Sequence, residues 1–559
     1  MKRRSLALAG FAVVVGLLAG CGRKEAPPAP SQPPAADAAP AEAHELKVLA
    51  TSDLSDVKPL QEMVQKATGV QLKFRFGGTM ESTEAVLSGQ SEADVAWFAN
   101  AKYLLSDAQG QGRVKLQEKI MLSPLAVGVS QSAAAQLGWA DPAQAAKITW
   151  KDITDAARTG RLNYALSNPA TSNQGFMALM GVVAAASQKS EALSPADVDR
   201  GAIAAFLKGY KLPGDNSTYL SEQFIQQQGP RINAFINYES WLLGLNQSGK
   251  LREKLVLVYP HEGVSTADYP MMLLNDAKRA DFQKVVAYLK SEPAQLWLAR
   301  QTLRRPIVPE FAAKVADVLP AQGMLVELPF SPDRALADGL ISAYLNEFRA
   351  PIASTFVLDT SGSMNGGGRR QQLVQAIHYI AGDDASLTGR IARLTNRERL
   401  WMQPFAEQPY GLTAFEVPAG SAVAKGVQVQ ADSEAKQRVL GDVRQFADQL
   451  NMTGGTALYD AVYASLQHML QERKKNPNYR YSVVAFTDGE NNKGRTLQQF
   501  KDDYAQLPED VRAIPVFMVL FGEANESDLQ DLVKVTGGKV FDARRTPLYS
   551  VFKDIRAYQ

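Results

Sequence analysis

The stretch Asp359-Thr360-Ser361-Gly362-Ser363 follows the apolar run STFVL at 354–358 and precedes a glycine-rich turn at 366–368. The apolar run predicts a buried parallel strand, which would end in a carboxylate followed by hydroxyls at alternate positions. Open α/β sheets bind ligands at the carboxyl ends of their strands. The oxygens of this stretch therefore predict a site for a hard cation at one edge of a sheet.

Two later stretches predict the other pieces of such a site. The segment TGGTALYD at 453–460 predicts a glycine loop that opens a helix, and YSVVAFTDG at 481–489 predicts a second buried strand that ends in an aspartate. Three strand-to-helix turns would then meet at one point. The side chains expected to converge there are Asp359, Ser361, Ser363, Thr456 and Asp488.

These three pieces resemble the metal-ion-dependent adhesion site (MIDAS) of the von Willebrand factor A (vWA) domain, which is D-x-S-x-S, then a distant Thr, then a distant Asp. The resemblance covers 351–559 and implies a doubly wound, Rossmann-like domain. It implies that Ser361, Ser363 and Thr456 ligate Mg²⁺ (or Mn²⁺) directly. It also implies that Asp359 and Asp488 act largely through bound water and hydrogen bonds.

The chemistry of Mg²⁺ agrees with that division of roles. The ion takes about six oxygens at roughly 2.0–2.1 Å and keeps several waters. Neutral hydroxyl ligands leave its charge poorly neutralised, so an open position would attract a carboxylate from another molecule. The pattern favours recognition of a protein partner's acidic group.

Other interpretations of the same residues exist. An isolated DxSxS can cap a helix, because Asp and Ser are favoured there. A phosphohydrolase of the haloacid dehalogenase type also ends its first strand in an aspartate, but it needs a second aspartate two residues on, where this chain has Ser361. No Ser/His/Asp or Cys/His signature is present, so the sequence predicts a binding protein rather than an enzyme.

The N-terminus has the features of an export signal. Lys2-Arg3-Arg4 precedes a largely apolar segment at 6–20, and Leu18-Ala19-Gly20-Cys21 resembles the bacterial lipobox. The resemblance implies lipidation of Cys21, which is the only cysteine and has no disulfide partner within the chain. Gly22 implies the periplasmic face of the outer membrane if the cell is Gram-negative.

Composition sets further limits. Residues 22–45 are rich in Ala and Pro and predict an extended spacer. Sixty basic and 58 acidic residues give a net charge of +2, and no basic stripe with interleaved aromatics occurs, so nucleic acid is not an expected partner.

The region 46–345 begins with alternating strand and helix patterns, including a helix at 54–67, which predict a parallel sheet. It resembles a type II periplasmic solute-binding protein, which implies two α/β lobes joined by two crossings. The segments that carry this resemblance are NPATSNQG (168–175), INYESW (236–241), YPHEGVSTADYP (259–270) and LRRPIVPE (303–310).

The resemblance implies a ligand between the lobes, and turns at helix N-termini suit a small anionic solute. The same residues are equally good caps and turns. The candidate ligand residues are Thr51, Ser52, Gly77, Gly78, Thr79, Thr171, Ser172, Tyr238 and Glu239.

The predicted organisation is a lipoprotein signal (1–21), a spacer (22–45), a two-lobed region (46–345) and a vWA domain (346–559). A helix capped by Ser331 with Pro332 at its first position should pack on a lobe and dock the two regions. The predicted function is a lipid-anchored envelope protein with MIDAS recognition and possible solute binding. The alternatives are the receptor of a transport system and a phosphohydrolase.

Overall fold

A computed structural model describes residues 44–189, 193–320, 325–330, 333–489, 491–522, 526–546 and 548–559. The predicted signal, Cys21 and the spacer as far as residue 43 lie outside the described residues. Among the residues that are described, no helix is long and apolar enough to cross a membrane.

The strands follow one another along the whole described chain. They are β1 (Glu45–Thr51), β2 (Gln71–Gly77), β3 (Val95–Trp97), β4 (Leu116–Lys119), β5 (Met121–Ser130), β6 (Tyr164–Ser167), β7 (Tyr210–Gly214), β8 (Ala234–Tyr238), β9 (Leu255–Val258), β10 (Thr266–Ala267), β11 (Pro270–Leu273), β12 (Arg305–Pro306), β13 (Ile352–Asp359), β14 (Arg399–Phe405), β15 (Thr413–Glu416), β16 (Arg480–Thr487), β17 (Val516–Leu520) and β18 (Val540–Asp542).

Helices alternate with these strands. They are α1 (Leu60–Thr68), α2 (Thr79–Ser88), α3 (Lys102–Leu105), α4 (Ala108–Arg113), α5 (Gln131–Leu137), α6 (Pro142–Ala145), α7 (Trp150–Arg158), α8 (Asn173–Ser187), α9 (Arg200–Leu207), α10 (Ser217–Gln227), α11 (Glu239–Gln247), α12 (Arg279–Leu289), α13 (Glu292–Thr302), α14 (Arg334–Ala343), α15 (Arg369–His378), α16 (Leu387–Ala392), α17 (Glu434–Asp448), α18 (Leu458–Lys475), α19 (Leu497–Ala505), α20 (Glu509–Arg512), α21 (Glu526–Thr536) and α22 (Leu548–Tyr558). Short 3-10 turns occur at Ser52–Val57, Pro195–Asp197, Asp276–Lys278, Pro309–Val315 and Gly362–Asn365, and π-helical turns at Tyr344–Phe348 and Tyr379–Asp383.

The first region forms two lobes, each built on its own sheet. The first lobe has the strand order β2-β1-β3-β11-β4, and the second has β10-β5-β8-β6-β7 with β9 and β12 also paired to β5. The chain crosses between the sheets from β4 to β5, back from β10 to β11, and a third time from β11 to β12, whereas the resemblance implied two crossings. This is the two-lobed mixed α/β architecture predicted for the region.

The C-terminal region forms a third sheet with the order β15-β14-β13-β16-β17-β18. All its pairings are parallel except β14 with β15 at the edge. The residues of β13 are all buried, as expected for a central strand covered on both faces. Counted from β13, this is the doubly wound order in which direction reverses between the first and fourth strands, and ligands bind at that switch point.

The junction helix α14 packs on the first lobe. Leu336 and Leu340 are buried, and the Tyr103 hydroxyl donates to Asp338 at 2.9 Å. The predicted close docking of the two regions is therefore confirmed. The helix starts later than predicted, because Asp333 is its N-cap and accepts from the Ala335 N–H; Ser331 lies outside the described residues.

One local prediction differs from the structure. The helix expected at 54–67 is split at Pro59, which cannot donate a backbone hydrogen bond. In the C-terminal region, the segment 383–399 contains α16, and the side chain of Ser433 caps the start of α17.

Candidate functional site

A cavity of about 640 Å³ lies between the two lobes of the first region. The lining includes most of the ligand residues named from the sequence, namely Ser52, Gly78, Thr79, Thr171, Ser172 and Tyr238. Thr51, the last residue of β1, is 1% exposed and does not line it. Gly77 and Glu239 are also absent from the lining, and Glu239 instead forms a bidentate ion pair with Arg305 at 2.7 Å.

The N-terminus of α8 is the most specific feature of this cavity. Ser172 occupies the N-cap position without a side-chain capping hydrogen bond. Thr171 is 9% exposed, and its hydroxyl has no hydrogen-bond partner among the residues that the structure describes. Gly175 allows the helix to start directly against β6, since a Cβ there would lie 2.0 Å from the Ser167 carbonyl oxygen. A buried unpaired hydroxyl beside free helical N–H groups is suited to a polar ligand.

Two other helices begin at the same cavity. Gly78 is the N-cap of α2 and Tyr238 is the N-cap of α11, and neither start has a side-chain cap. The Tyr238 hydroxyl accepts a hydrogen bond from the Asn173 amide at 2.6 Å and thereby joins two of these helix starts. Each N-terminus contributes partial positive charge, which favours an anionic group between them.

The cavity also contains acidic residues that sequence reasoning did not identify. Asp53, Asp215 and Glu222 line it, together with Trp241. Burial raises the pKa of Asp53, and the nearby Arg304 guanidinium opposes that rise. Arg304 is 1% exposed and donates to the Asp53 backbone oxygen at 2.6 Å. Arg304 forms its ion pair with Asp56 at 2.7 Å, so its guanidinium acts on the Asp53 carboxylate only as a nearby positive charge.

A second site lies at the carboxyl edge of the C-terminal sheet. The Ser361 and Ser363 hydroxyl oxygens are 2.9 Å apart, and the Ser363 hydroxyl donates to Asp488 Oδ1 at 2.8 Å. A Cβ on Gly489 would lie 3.6 Å from the Ser363 oxygen and 4.0 Å from the Thr456 oxygen, so both hydroxyls adjoin the same glycine. The structure therefore brings the residues of the three distant segments together.

Asp359 forms the buried floor of this second site. Its Oδ1 accepts from the Ser361 N–H at 2.9 Å and its Oδ2 accepts from the Thr487 hydroxyl at 2.7 Å. Burial raises its pKa to about 6, and these hydrogen bonds oppose the rise. A carboxylate with both oxygens already engaged is placed to orient Ser361.

The loop that carries Thr456 is attached to the first strand end by its backbone. The Gly362 N–H donates to the Gly454 oxygen at 3.0 Å, and the Thr453 N–H donates to the Thr360 oxygen at 2.7 Å. The Thr456 N–H donates to the Asn492 side chain at 2.9 Å. Ser361, Thr456 and Asp488 are buried whereas Ser363 is exposed, so the site opens to solvent on one side.

Arg369, the first residue of α15, is a member of this site that sequence reasoning missed. Its Nη1 lies 2.6 Å from Asp488 Oδ2 and 3.3 Å from the Ser363 backbone oxygen. The two consecutive arginines after the glycine turn were the available signal, but nothing in their spacing shows which one reaches the site. The guanidinium compensates Asp488, which is 0% exposed at its side chain.

The donor set defines what this second site can hold. Hydroxyl and carboxylate oxygens are hard ligands suited to Mg²⁺ or Mn²⁺. Ligands at right angles around Mg²⁺ lie about 2.9 Å apart. The Ser361–Ser363 spacing of 2.9 Å fits that requirement. No cluster of three or more His, Cys, Asp and Glu side chains suited to a metal occurs in the described part of the chain.

Comparisons with known proteins bear on the first region. Residues 46–302 match the family model of bacterial extracellular solute-binding proteins. A search of curated proteins found no match. The chain therefore contains a solute-binding protein region, and the match ends before α14 and the third sheet.

Solved structures with a similar fold are periplasmic binding proteins and their relatives. Trichodesmium IdiA (FutA) with iron and citrate has 15% identity and a TM-score of 0.40, over 54% of this chain and 98% of that one. The periplasmic binding protein AfuA from Actinobacillus pleuropneumoniae, with fructose-6-phosphate bound, has 14% identity and a TM-score of 0.42, over 54% of this chain and 98% of that one. Iron-bound HitA from Pseudomonas aeruginosa has 15% identity and a TM-score of 0.39, over 53% of this chain and 97% of that one.

Proposed function

We propose that this chain is a cell-envelope solute-binding protein that takes a small solute with an anionic group into the cavity between its lobes. The observation that carries the proposal is the unpartnered Thr171 hydroxyl, buried at the uncapped start of α8 in a cavity of about 640 Å³. Cavities of 300–1,000 Å³ are typical of small-molecule sites. The starts of α2 and α11 add further N–H groups at the same place.

The family match over residues 46–302 supports a receptor role in a transport system, which is the form of this function that we favour. The predicted location is the periplasmic side of the envelope, held by a lipid on Cys21. We expect the cavity to bind rather than to catalyse, because its described lining consists of hydroxyls, amides, helix N-termini, three carboxylates and one lysine, without a recognisable nucleophile–base pair.

The test is a solute screen with Thr171→Val, which removes the hydroxyl and keeps the side-chain volume. Wild type should show a thermal shift with at least one anionic solute, and Thr171→Val should reduce that solute's affinity by about tenfold. Thr159→Val is the matched control, because Thr159 is exposed at the end of α7 on the same lobe. Equal affinity in wild type and Thr171→Val would overturn the assignment.

A second function belongs to the C-terminal domain, which we propose is a vWA domain with a MIDAS site for Mg²⁺ or Mn²⁺. Ser361, Ser363 and Thr456 would hold the ion, and Asp359 and Asp488 would orient ligands and waters. The bound ion supplies a positive centre for a carboxylate of a protein partner. The 2.9 Å spacing of the Ser361 and Ser363 hydroxyls and the exposure of Ser363 support this proposal.

Thr456→Val tests the metal site most cleanly. Asp488→Ala also removes the carboxylate but leaves Arg369 without its ion-pair partner, so it would combine a loss of metal binding with a loss of stability. Mn²⁺ should raise the melting temperature of wild type and of Thr453→Val, an exposed threonine in the same loop. Mn²⁺ should leave the melting temperature of Thr456→Val unchanged. A full Mn²⁺ shift in Thr456→Val would contradict the proposal.

A further inference from the structure

The solute cavity has a third wall, which is supplied by the C-terminal domain. Besides residues of both lobes, the lining includes Gln530, Val533, Gly538, Lys539 and Val540. The position of Lys539 is set by the turn between α21 and β18. Gly537 has a φ of +71°, and a Cβ on Gly538 would lie 1.8 Å from the Val516 carbonyl oxygen. This glycine pair lets the turn pack tightly on β17 and places Lys539 at the cavity.

Lys539 is the only lysine or arginine among the described residues that line the cavity. Its ammonium donates to the Tyr558 hydroxyl at 2.8 Å and lies 3.8 Å from Asp215 Oδ2. An ammonium has three donors, and its side chain is 40% exposed, so donor capacity remains for a ligand. The two lobes alone contribute Asp53, Asp215 and Glu222 and no cationic side chain to this lining.

The third wall is fixed to both lobes through α22. Lys553 forms an ion pair with Glu81 on the first lobe. On the second lobe, the Asn168 amide donates to the Arg556 backbone oxygen at 3.4 Å. The Tyr558 ring stacks edge-on against Tyr219 with centroids 4.6 Å apart. The domain that carries Lys539 is thus held in one position relative to both lobes.

We propose that Lys539 is a specificity-determining residue of the solute site, which pairs with the anionic group of the solute that the starts of α2, α8 and α11 also favour. The lobes alone present three carboxylates and no side-chain cation, so the C-terminal domain decides the charge class of the solute. This inference rests on the proposed solute-binding function.

The test uses four probes of equal chain length and different charge: succinate, 4-aminobutyrate, putrescine and 1,4-butanediol. Calorimetry on the full chain should show that wild type binds a carboxylate-bearing probe more tightly than putrescine or butanediol. Lys539→Glu should weaken the best carboxylate probe by at least about tenfold and raise the relative affinity for putrescine. Lys539→Met should abolish the preference for carboxylate probes without raising the affinity for putrescine.

Lys534→Glu is the matched control, because Lys534 is an exposed residue of α21 outside the cavity lining. It should change every affinity by less than about twofold, and urea unfolding should show that all variants are folded. Preference for putrescine in wild type, unchanged preference in Lys539→Glu, or no binding of any probe would overturn the inference. A solute found by the screen that depends on Thr171 but not on Lys539 would leave the proposed function in place.

Discussion

The two candidate sites of this chain are built in opposite ways. The second site comes from three short motifs at one edge of one sheet, and hydrogen bonds link Asp359, Ser361, Ser363 and Asp488 in series. The solute cavity is assembled from both lobes and from the turn before β18, and no single motif defines it. A motif-built site can be located from sequence, whereas a cavity depends on how whole domains pack.

The C-terminal helix α22 belongs to the C-terminal domain and also contacts both lobes. Breaking its buried ion pair should therefore have the largest effect on the free energy of unfolding. Arg556 is 3% exposed and pairs with Glu398, which is 1% exposed. Arg556→Met leaves Glu398 buried and uncompensated, and should cost about 3–5 kcal/mol of the free energy of unfolding. Urea denaturation measures this loss. The exposed Arg545→Met should change it by less than about 0.5 kcal/mol, and an equal effect of both would refute the claim.

A smaller effect is expected where the C-terminal domain contacts the first lobe. Lys553 is 7% exposed at its side chain and pairs with Glu81, which is 34% exposed. Lys553→Met should cost about 2 kcal/mol and increase hydrogen exchange in α2, because a charge-assisted bond is lost. Unaltered exchange in α2 would show that this contact does not hold the lobe.

Arg369 offers a way to test the second site without removing a ligand. In the proposed metal site, the guanidinium would compete with a divalent ion for Asp488, which it contacts at 2.6 Å. Arg369→Met should therefore raise Mn²⁺ affinity about tenfold in calorimetry, because about 1.4 kcal/mol of competition is removed. Arg370→Met is the neighbouring control, since Arg370 donates to the Asp448 and Leu450 backbone oxygens instead. Equal or weaker Mn²⁺ binding by Arg369→Met would contradict the competition.

The smallest predicted effect is a pH dependence of the free energy of unfolding. Burial raises the pKa of Asp554 on α22 from 3.8 to about 6, with Lys553 opposing the rise. The folded state therefore favours the protonated acid, and this contribution to stability is present below about pH 4 and is lost as the pH rises through about 6. Asp554→Asn should be near neutral at pH 4 and stabilising by about 1 kcal/mol at pH 7.5, allowing for partial exposure. Urea unfolding that shows no pH dependence of this difference would refute the assignment.

The sequence predicted the parts of this molecule that depend on local pattern. The apolar runs before Asp359 and Asp488 specify buried parallel strands, and adjacent strand ends meet, so their convergence could be foreseen. The turn at 168–175 was placed at the cavity by the same reasoning. Thr51 was misjudged because the end of β1 puts Ser52, not Thr51, at the cavity.

Contacts that depend on how whole domains and loops pack against one another could not be predicted from the sequence. Lys539 and Gln530 reach the solute cavity only because the third sheet docks on the lobes, and no periodicity encodes that docking. Arg369 was missed for a related reason, since a helix-start arginine is ordinary until Asp488 is placed beside it. The cationic side chains described at both sites, Lys539 and Arg369, therefore come from outside the recognisable motifs.

Native mass spectrometry of the full chain, purified without denaturation, tests the central claim most directly. The claim is that one small solute binds between the lobes against the C-terminal wall. Wild type and Lys534→Glu should retain one small molecule per chain, and Thr171→Val and Lys539→Glu should lose it. A wild-type chain without any bound molecule, or an adduct that both variants retain fully, would contradict the account.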